Sequence, residues 1–257
     1  MLREAKMLKG CVVRAEDGPI GRVDGVFFDD QSWGVRYLAV DTGGLLSDEK
    51  VLILPDFVEE INETMPASVR VSLTREQVEK SPSVEADRPV AAQQEVDYYA
   101  YHGAAPYWGA WEAAGWGVSG PGFPPYTRPD AEAGAEERGD PHLRSSTEVR
   151  GYAIRSRDRT IGHVEDFIMD DQDWEIRYVI VDTRDWLPGK KVPLSAAWVS
   201  GISWAGAEIE VDLMAEEIRS APEWSPGTTI NRQYETELHA HFGRTPYWIR
   251  RRDNVNR

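Results

Sequence analysis

The sequence predicts a mainly β protein made of two small six-stranded barrels, related by a pseudo-two-fold axis and each followed by short helices. Residues 10–42 align with residues 151–183 at a constant offset of 141, without a gap. Each aligned region continues into about six short stretches, rich in β-branched and aromatic residues, within roughly 65 residues. Gly, Pro, Asp and Asn separate these stretches, a spacing typical of a small barrel or sandwich. We call the two regions the first and the second repeat.

The internal repeat is well above chance. Fifteen of the 33 aligned positions are identical, against about one in seventeen for unrelated residues. In the first repeat these positions are Gly10, Arg14, Asp17, Ile20, Gly21, Val23, Asp29, Asp30, Gln31, Trp33, Arg36, Tyr37, Val40, Asp41 and Thr42. The chain is therefore interpreted as a duplicated module.

The order of elements follows from turn chemistry. Glu16-Asp17-Gly18-Pro19 predicts a turn, because Gly tolerates a positive φ and Pro fixes its own. Ile20–Asp29 predicts a long strand interrupted by Gly21 and Gly25, since glycine inside a strand often marks a bulge or a sharp bend. Asp29–Ser32 predicts a tight connection into a strand at Val35–Asp41. The result is a hairpin in each repeat.

The second strand of this hairpin is apolar on both faces. Leu38 and Val40 point to one side, and Tyr37 lies on the other. A strand that is apolar on both faces is usually covered on both. We therefore expect the two repeats to pack against each other, so that Leu38 and its counterpart Val179 are shielded from water.

Domain boundaries follow from composition. We assign residues 1–85 to the first barrel, 86–108 to a helical and aromatic extension, 109–146 to a Gly/Pro-rich linker, 147–225 to the second barrel and 226–257 to a second extension. The first ten residues are interpreted as a short leader. The two extensions share a Glu, an Ala, a Gly and the ending Pro-Tyr-Trp, which predicts a short helix followed by aromatic packing. A capping box at Thr74 predicts one further short helix after the first sheet.

Charge and composition exclude some classes of function. The net charge is −15 and the sequence pI is about 4.8, which argues against nucleic-acid binding and against adsorption to anionic membranes. Cys11 is the one cysteine, so an internal disulfide cannot form. The sequence shows neither a signal peptide nor an apolar run of ~18 residues. These features predict an acidic protein of the bacterial cytoplasm with no membrane span.

Several motifs resemble the PRC-barrel family. They are Ile20-Gly21-x-Val23, Asp29-Asp30 and Tyr37-Leu38-x-Val40-Asp41, with Ile161-Gly162-His163-Val164 and Tyr178-Val179-Ile180-Val181-Asp182 in the second repeat. That family includes the cytoplasmic domain of the photosynthetic reaction centre H subunit and the C-terminal domain of a ribosome maturation factor. The resemblance covers about residues 8–82 and 149–222. It implies tandem small β-barrels that work by docking to proteins.

The candidate binding residues are aromatic and cationic. Within the repeats they are Trp33, Arg36 and Tyr37, with Trp174, Arg177 and Tyr178 as counterparts; outside them they are Trp108, Trp111, Trp116 and Trp248. Each arginine could form a buried ion pair, with Asp41 as one possible partner, stack on Trp33, or serve as a binding residue. The repeated aspartates are interpreted as turn caps rather than metal ligands.

Other constellations favour structure over chemistry. His239 and His241 are two residues apart, which on a helix places them on different faces, so no metal site is predicted there. Cys11 is interpreted as a core residue. No cofactor, metal or catalytic set is predicted. We expect a non-enzymatic docking or scaffold protein that binds protein partners; a homo-oligomer is left open. The alternative is a small-ligand or metal-binding protein with a pocket at the barrel–barrel seam, lined by Trp33, Tyr37 and their counterparts.

Overall fold

The protein is mainly β, with two sheets of seven strands and a few short helices. The computed structural model describes residues 1–43, 50–64, 66–81, 98–104, 142–183, 190–225 and 227–249. The strands are β1 (Leu2–Glu4), β2 (Val12–Ala15), β3 (Gly18–Asp29), β4 (Val35–Asp41), β5 (Val51–Ile53), β6 (Val58–Asn62), β7 (Ser68–Val71), β8 (Leu143–Ser145), β9 (Ala153–Arg155), β10 (Thr160–Asp170), β11 (Glu175–Asp182), β12 (Lys191–Ser195), β13 (Val199–Ser203) and β14 (Glu208–Val211). The helices are α1 (Arg75–Glu79), α2 (Ser146–Val149), α3 (Ala215–Arg219) and α4 (Arg232–His241), with 3₁₀ turns at Ala5–Met7, Pro55–Phe57 and Ala196–Trp198. Residues 98–102 are also helical.

The two sheets have the same strand order. One runs β5-β4-β3-β2-β7-β6 and the other runs β12-β11-β10-β9-β14-β13. In each, one pair of strands is parallel, β2 with β7 and β9 with β14. Both sheets are open in the described part of the chain, so the closed barrels that the sequence predicted are not seen there. The pseudo-two-fold axis stays a prediction.

Each sheet has one strand more than the six that were predicted. The additional strands are β1, which pairs with β10, and β8, which pairs with β3. β1 comes from the residues interpreted as a leader, and β8 from the end of the stretch interpreted as a linker. The prediction was wrong because these segments were judged by composition, whereas a three-residue strand is formed by the edge that it completes.

The chain forms two compact units that do not coincide with the two repeats. One unit contains Met1–Lys9, Gly25–Arg36 and the chain from Arg144 onwards, and the other contains Gly10–Asp24 and Tyr37–Leu143. The hairpin tip of the first repeat therefore belongs to the unit that holds the second repeat.

Within the first of these units, the hairpin tips of the two repeats bind each other through their backbones. The Val35 N–H donates to the Trp174 carbonyl at 2.6 Å, and the Ile176 N–H donates to the Trp33 carbonyl at 2.8 Å. The second bond repeats the first with the roles of the repeats exchanged. Trp33 and Trp174 both have a positive φ, of 63° and 51°, a conformation that is costly for a bulky side chain. It places both carbonyls in reach of the opposite N–H group.

The expectation that the strand Val35–Val40 is covered on both faces is confirmed. Leu38 and Val179 are each 1% exposed, and Tyr37 and Tyr178 are also buried. Phe28 and Phe167, which stand on the neighbouring long strands, lie with their ring centroids 5.3 Å apart in the first unit.

Gly21 and Gly162 are required by a close approach of two strands. A Cβ atom on Gly21 would lie 2.2 Å from the Asp41 carbonyl oxygen, and one on Gly162 would lie 2.0 Å from that of Asp182. The strand register also shifts at both positions, which confirms the predicted bulge. The repeated glycine is thus explained by backbone packing.

The repeated aspartate of the first turn caps a helix in both repeats. Asp17 Oδ1 accepts a hydrogen bond from the Arg75 N–H at 2.8 Å, and Asp158 Oδ1 accepts one from the Ala215 N–H at 2.9 Å. The predicted capping box at Thr74 is confirmed. Its counterpart Met214 cannot supply a hydroxyl group, so α3 depends on Asp158 and on Glu217, which accepts from the Met214 N–H at 2.7 Å.

We predict that Gly162→Ala destabilises the protein strongly. The methyl group must displace the Asp182 carbonyl, and φ is +147° at this residue, so overpacking and backbone strain add to about 1–3 kcal/mol or more of unfolding free energy. The measurement is the midpoint and slope of chemical unfolding. Gly201→Ala is the matched control, since its Cβ would meet Glu210 at an ordinary 3.5 Å; an equal loss in both variants would contradict the explanation.

Candidate functional site

The candidate site is a cluster of aromatic and charged side chains between β11 and α4. We call it the Glu235 cluster, and it consists of Arg177, Tyr178, Arg232, Glu235, His239, Tyr247 and Trp248. All of these residues belong to one compact unit. The cluster forms because α4 presents Glu235, Leu238 and His239 on one buried face, at the spacing that places helical residues side by side. Asn231 starts this helix by accepting a hydrogen bond from the Tyr234 N–H at 2.9 Å.

Glu235 is the polar centre of the cluster. The residue is 2% exposed. Its Oε1 accepts hydrogen bonds from the Tyr178 hydroxyl at 2.8 Å and from the Tyr247 hydroxyl at 3.0 Å. Its Oε2 lies 3.1 Å from Arg232 Nη1. A buried carboxyl group must find such partners, because burying it without them would cost several kcal/mol.

Burial dominates the electrostatics of this cluster. It raises the pKa of Glu235, although hydrogen bonds from Tyr178 and Tyr247 and the charge of Arg232 act in the opposite direction. Burial, together with the nearby Glu235 carboxylate, also raises the pKa of Tyr178, and it raises that of Tyr247 to about 12. Both phenols therefore remain hydrogen-bond donors at neutral pH.

The outer side of the cluster combines cations with aromatic rings. The Arg177 guanidinium lies 4.2 Å from the Tyr247 ring centroid, and that of Arg232 lies 4.0 Å from the Trp248 ring. The His239 ring meets the same indole edge-on, at 5.5 Å between ring centroids. Trp248 is half-buried, and the next residue, Ile249, is 45% exposed. We call Arg232, Trp248 and Ile249 the Trp248 shelf.

The structure brings three of the candidate binding residues together, namely Arg177, Tyr178 and Trp248. Trp33 and Trp174 lie at the hairpin tips, where their carbonyls accept the Ile176 and Val35 N–H groups. Tyr37 is buried in the other unit, where its ring meets that of Tyr98 edge-on. Trp108, Trp111 and Trp116 lie outside the described residues.

The two repeated arginines use different acidic partners. Arg36 forms a buried ion pair with Asp29, whose Oδ1 also accepts the N–H groups of Gln31 and Ser32 and so closes the turn. Arg177 pairs with Asp173 at 2.7 Å and with Glu175. The partner of Arg36 is thus Asp29 and not the Asp41 that was proposed, although Asp41 is nearer to Arg36 in sequence. The turn-capping role expected for Asp29 is confirmed.

A second group of possible ligand atoms lies on the sheet of the second repeat. One ligand atom from each of His163, Glu165 and Asp182 lies within 4.8 Å of the others. His163 and Asp182 are direct cross-strand partners, and Glu165 is two residues from His163 on the same strand, a spacing that places both side chains on one face. The Lys191 ammonium already contacts Glu165 at 2.6 Å. A cleft of about 600 Å³ reaches His163.

Sequence reasoning missed Glu235 and Tyr247 as partners of Tyr178. A signal was available, since Glu235 and Tyr247 recur as Glu95 and Tyr107 in the first extension. Their contact with Tyr178 was not predicted, because both residues lie far from Tyr178 in sequence and the contact depends on how α4 packs against the sheet.

We predict that the stability gap between the wild type and Glu235→Gln narrows as pH rises. A carboxyl group whose pKa is raised on folding contributes most below its unfolded pKa, about 4.3. That contribution is lost as pH rises through the folded pKa. Gln does not titrate, and its amide group would face Arg232. The measurement is the unfolding free energy of both proteins from about pH 4 to pH 8; a gap that widens with pH would show that the folded pKa is lowered instead.

One comparison with known proteins gives a match, and it covers the second repeat. None of the helices in the described part of the chain has the length and apolar character needed to cross a membrane. A comparison with curated proteins gives no match. The first repeat lies outside the family match, so a second domain of the same family remains an expectation from the sequence. Residues 141–218 match the family model of the PRC-barrel domain.

Proposed function

We propose that the chain is a non-enzymatic docking or scaffold protein of the bacterial cytoplasm, built by duplication of one PRC-type barrel. In this proposal the two barrels are related by a pseudo-two-fold axis. The matched PRC-barrel domain is consistent with an interaction module. Supporting the duplication, the strand order of the two sheets is the same.

The repeated polar and glycine positions support a role in folding rather than in catalysis. Gly21 and Gly162 permit a close strand approach, Asp17 and Asp158 cap helices, and Asp29 closes its turn. Residues shared by the repeats for these reasons stabilise the fold. Function is expected instead at residues on the surface of the repeats.

The observation that carries the docking proposal is the Trp248 shelf. An indole ring that contacts both the Arg232 guanidinium and the His239 ring is pre-organised, so binding costs little side-chain entropy. Trp and Arg are the residue types most enriched among binding hot spots. Ile249 adds exposed apolar area beside them. A protein partner with an apolar and acidic contact surface fits this arrangement.

We predict that Trp248→Ala abolishes retention of the protein partner. Loss of a hot-spot residue costs about 2 kcal/mol or more, which is about thirtyfold in affinity. The measurement is affinity capture from native lysate, with stoichiometry determined for the wild type and the variant. Met214→Ala removes an apolar side chain that is 41% exposed and lies outside the shelf, and it should leave retention unchanged. A partner retained equally by Trp248→Ala, with that variant folded by thermal melting, would exclude the shelf.

The second candidate function is cation binding, supported by the group His163, Glu165 and Asp182. Imidazole and carboxylate ligands suit Zn²⁺, and the cleft at His163 offers an entry path. The ion would have to displace the Lys191 ammonium from Glu165. In the first repeat the histidine position holds Arg22, which cannot ligate a metal.

We predict that, if this second function holds, Zn²⁺ raises the melting temperature of the wild type and not that of His163→Arg. At free Zn²⁺ about one hundred times Kd, binding adds about 2.7 kcal/mol to stability. The substitution introduces the residue that the first repeat carries, so the sheet should tolerate it. His241→Ala controls for binding to surface histidine. Equal shifts in the wild type and His163→Arg would reject the site.

A further inference from the structure

The longest strands of both sheets extend beyond their neighbours. β9 pairs with β10 only from Thr160 to His163, and β10 continues to Asp170. β2 likewise pairs with β3 only from Gly18 to Arg22, and β3 continues to Asp29. Beyond these points the edge would present unpaired N–H and C=O groups, which is a template for another strand.

In both sheets a short segment with the same chemistry fills this edge. β1 pairs antiparallel with Ile168–Asp170, and β8 pairs with β3. β1 begins Leu2-Arg3 and β8 begins Leu143-Arg144, again 141 residues apart. The segment that precedes each repeat thus completes the sheet of the other repeat.

The arginine of each segment meets a repeated aspartate of the hairpin turn. Arg3 Nε pairs with Asp171 Oδ2, and both side chains are 14% exposed. Arg144 Nε pairs with Asp30 Oδ2 at 3.2 Å, with exposures of 14% and 8%. Partly buried ion pairs of this kind select a cationic side chain as long as arginine, because any other side chain at this position would leave the aspartate desolvated and unpaired.

Contacts after the arginine fix the register of the added strand. Behind β1, the Lys6 N–H donates to the Asp166 carboxylate at 3.2 Å, and Ala5 is buried. Behind β8, the Ser146 hydroxyl accepts the Val26 N–H at 3.1 Å. Leu143 is 4% exposed. Backbone pairing therefore supplies affinity, and the leucine and arginine positions supply selectivity, as in other strand-addition sites.

We propose that the turn-proximal edge of β10 is a strand-addition docking site for an extended Leu-Arg peptide segment, with Leu2–Glu4 as its resident occupant. The inference rests on the proposed docking function and names the chemistry of one partner segment. A partner gains access by displacing the resident strand, which is only three residues long. Besides the short ladder and the Arg3–Asp171 pair, the resident is held by the Met1 ammonium, which lies 3.0 Å from Asp170 Oδ1, and by Glu4, whose Oε1 accepts the Gly227 N–H at 2.6 Å. An incoming segment must replace these contacts as well.

The test is binding of a fluorescent peptide with the sequence of residues 1–9, measured by anisotropy. A variant lacking residues 1–7 is expected to bind the peptide at least about tenfold more tightly than the intact chain, because the tethered resident competes at high effective concentration. A scrambled peptide of the same composition is the control for charge and hydrophobicity. No binding by a truncated protein that circular dichroism shows to be folded would overturn the proposal.

Charge exchange tests the arginine contact. In the truncated protein, Asp171→Lys should weaken binding of the wild-type peptide at least about tenfold, and a peptide carrying Arg3→Glu should recover part of that loss, as expected for a direct pair. Should the truncated protein fail to fold, the full chain with Arg3→Glu has a weakened resident and should bind the wild-type peptide more tightly than the unaltered chain. Equal binding there would contradict the proposal.

This experiment separates the site from the wider function. Peptide binding with no partner captured on the Trp248 shelf would retain the strand site and reject the shelf. Capture of a partner on the Trp248 shelf without binding of the peptide would retain the shelf and reject the strand site.

Discussion

The constraint on which the structure depends is the unequal length of neighbouring strands. β3 and β10 have twelve and eleven residues, whereas their neighbours β2 and β9 have four and three. A strand that outruns its neighbour leaves backbone groups that must be paired, since a buried unpaired group costs free energy comparable to a lost hydrogen bond. The chain meets this requirement with segments taken from outside each repeat, and the sheets thereby reach seven strands.

Because each sheet is completed by the segment that precedes the other repeat, the hairpin tips also bind these added segments. Once β1 lies along β10, the turn residues Asp170 and Asp171 lie beside the added strand, and Asp171 pairs with Arg3. The same tips carry the two backbone hydrogen bonds between Val35, Trp174, Ile176 and Trp33. Positive φ at the two tryptophans is a local cost of order 1–3 kcal/mol each, and the two hydrogen bonds between the tips offset part of this cost. The hairpin turns, the Arg3–Asp171 ion pair and the backbone hydrogen bonds between the tips are therefore parts of one arrangement.

Much of this architecture could be predicted because it depends on local chemistry. The glycine bend at Gly21, the turn at Asp29 and the two-sided apolar strand around Leu38 each reflect a backbone or packing requirement that a few residues express. The additional strands could not be predicted from composition, because Leu2–Glu4 is a strand only in the presence of an edge far away in sequence. The repeated Leu-Arg dipeptide was nevertheless visible, at the same offset as the rest of the repeat. Closure of the barrels was inferred from strand density, which does not specify how the first and last strands meet.

The Glu235 cluster shows the same division between local and distant information. The spacing of its residues and the Asn231 cap explain why α4 is a helix with a buried face. The polar residues on that face are explained only by the side chains that they contact. A buried carboxylate is tolerated because two phenol hydroxyls and Arg232 bind its oxygens. Apolar residues at the same place would not fix the orientation of their neighbours as directional hydrogen bonds do. The hydrogen bonds fix where Tyr247 lies, and Tyr247 in turn fixes Trp248 beside Arg232. In this way the buried Glu235 carboxyl group determines the geometry of the surface on which a protein partner is proposed to bind.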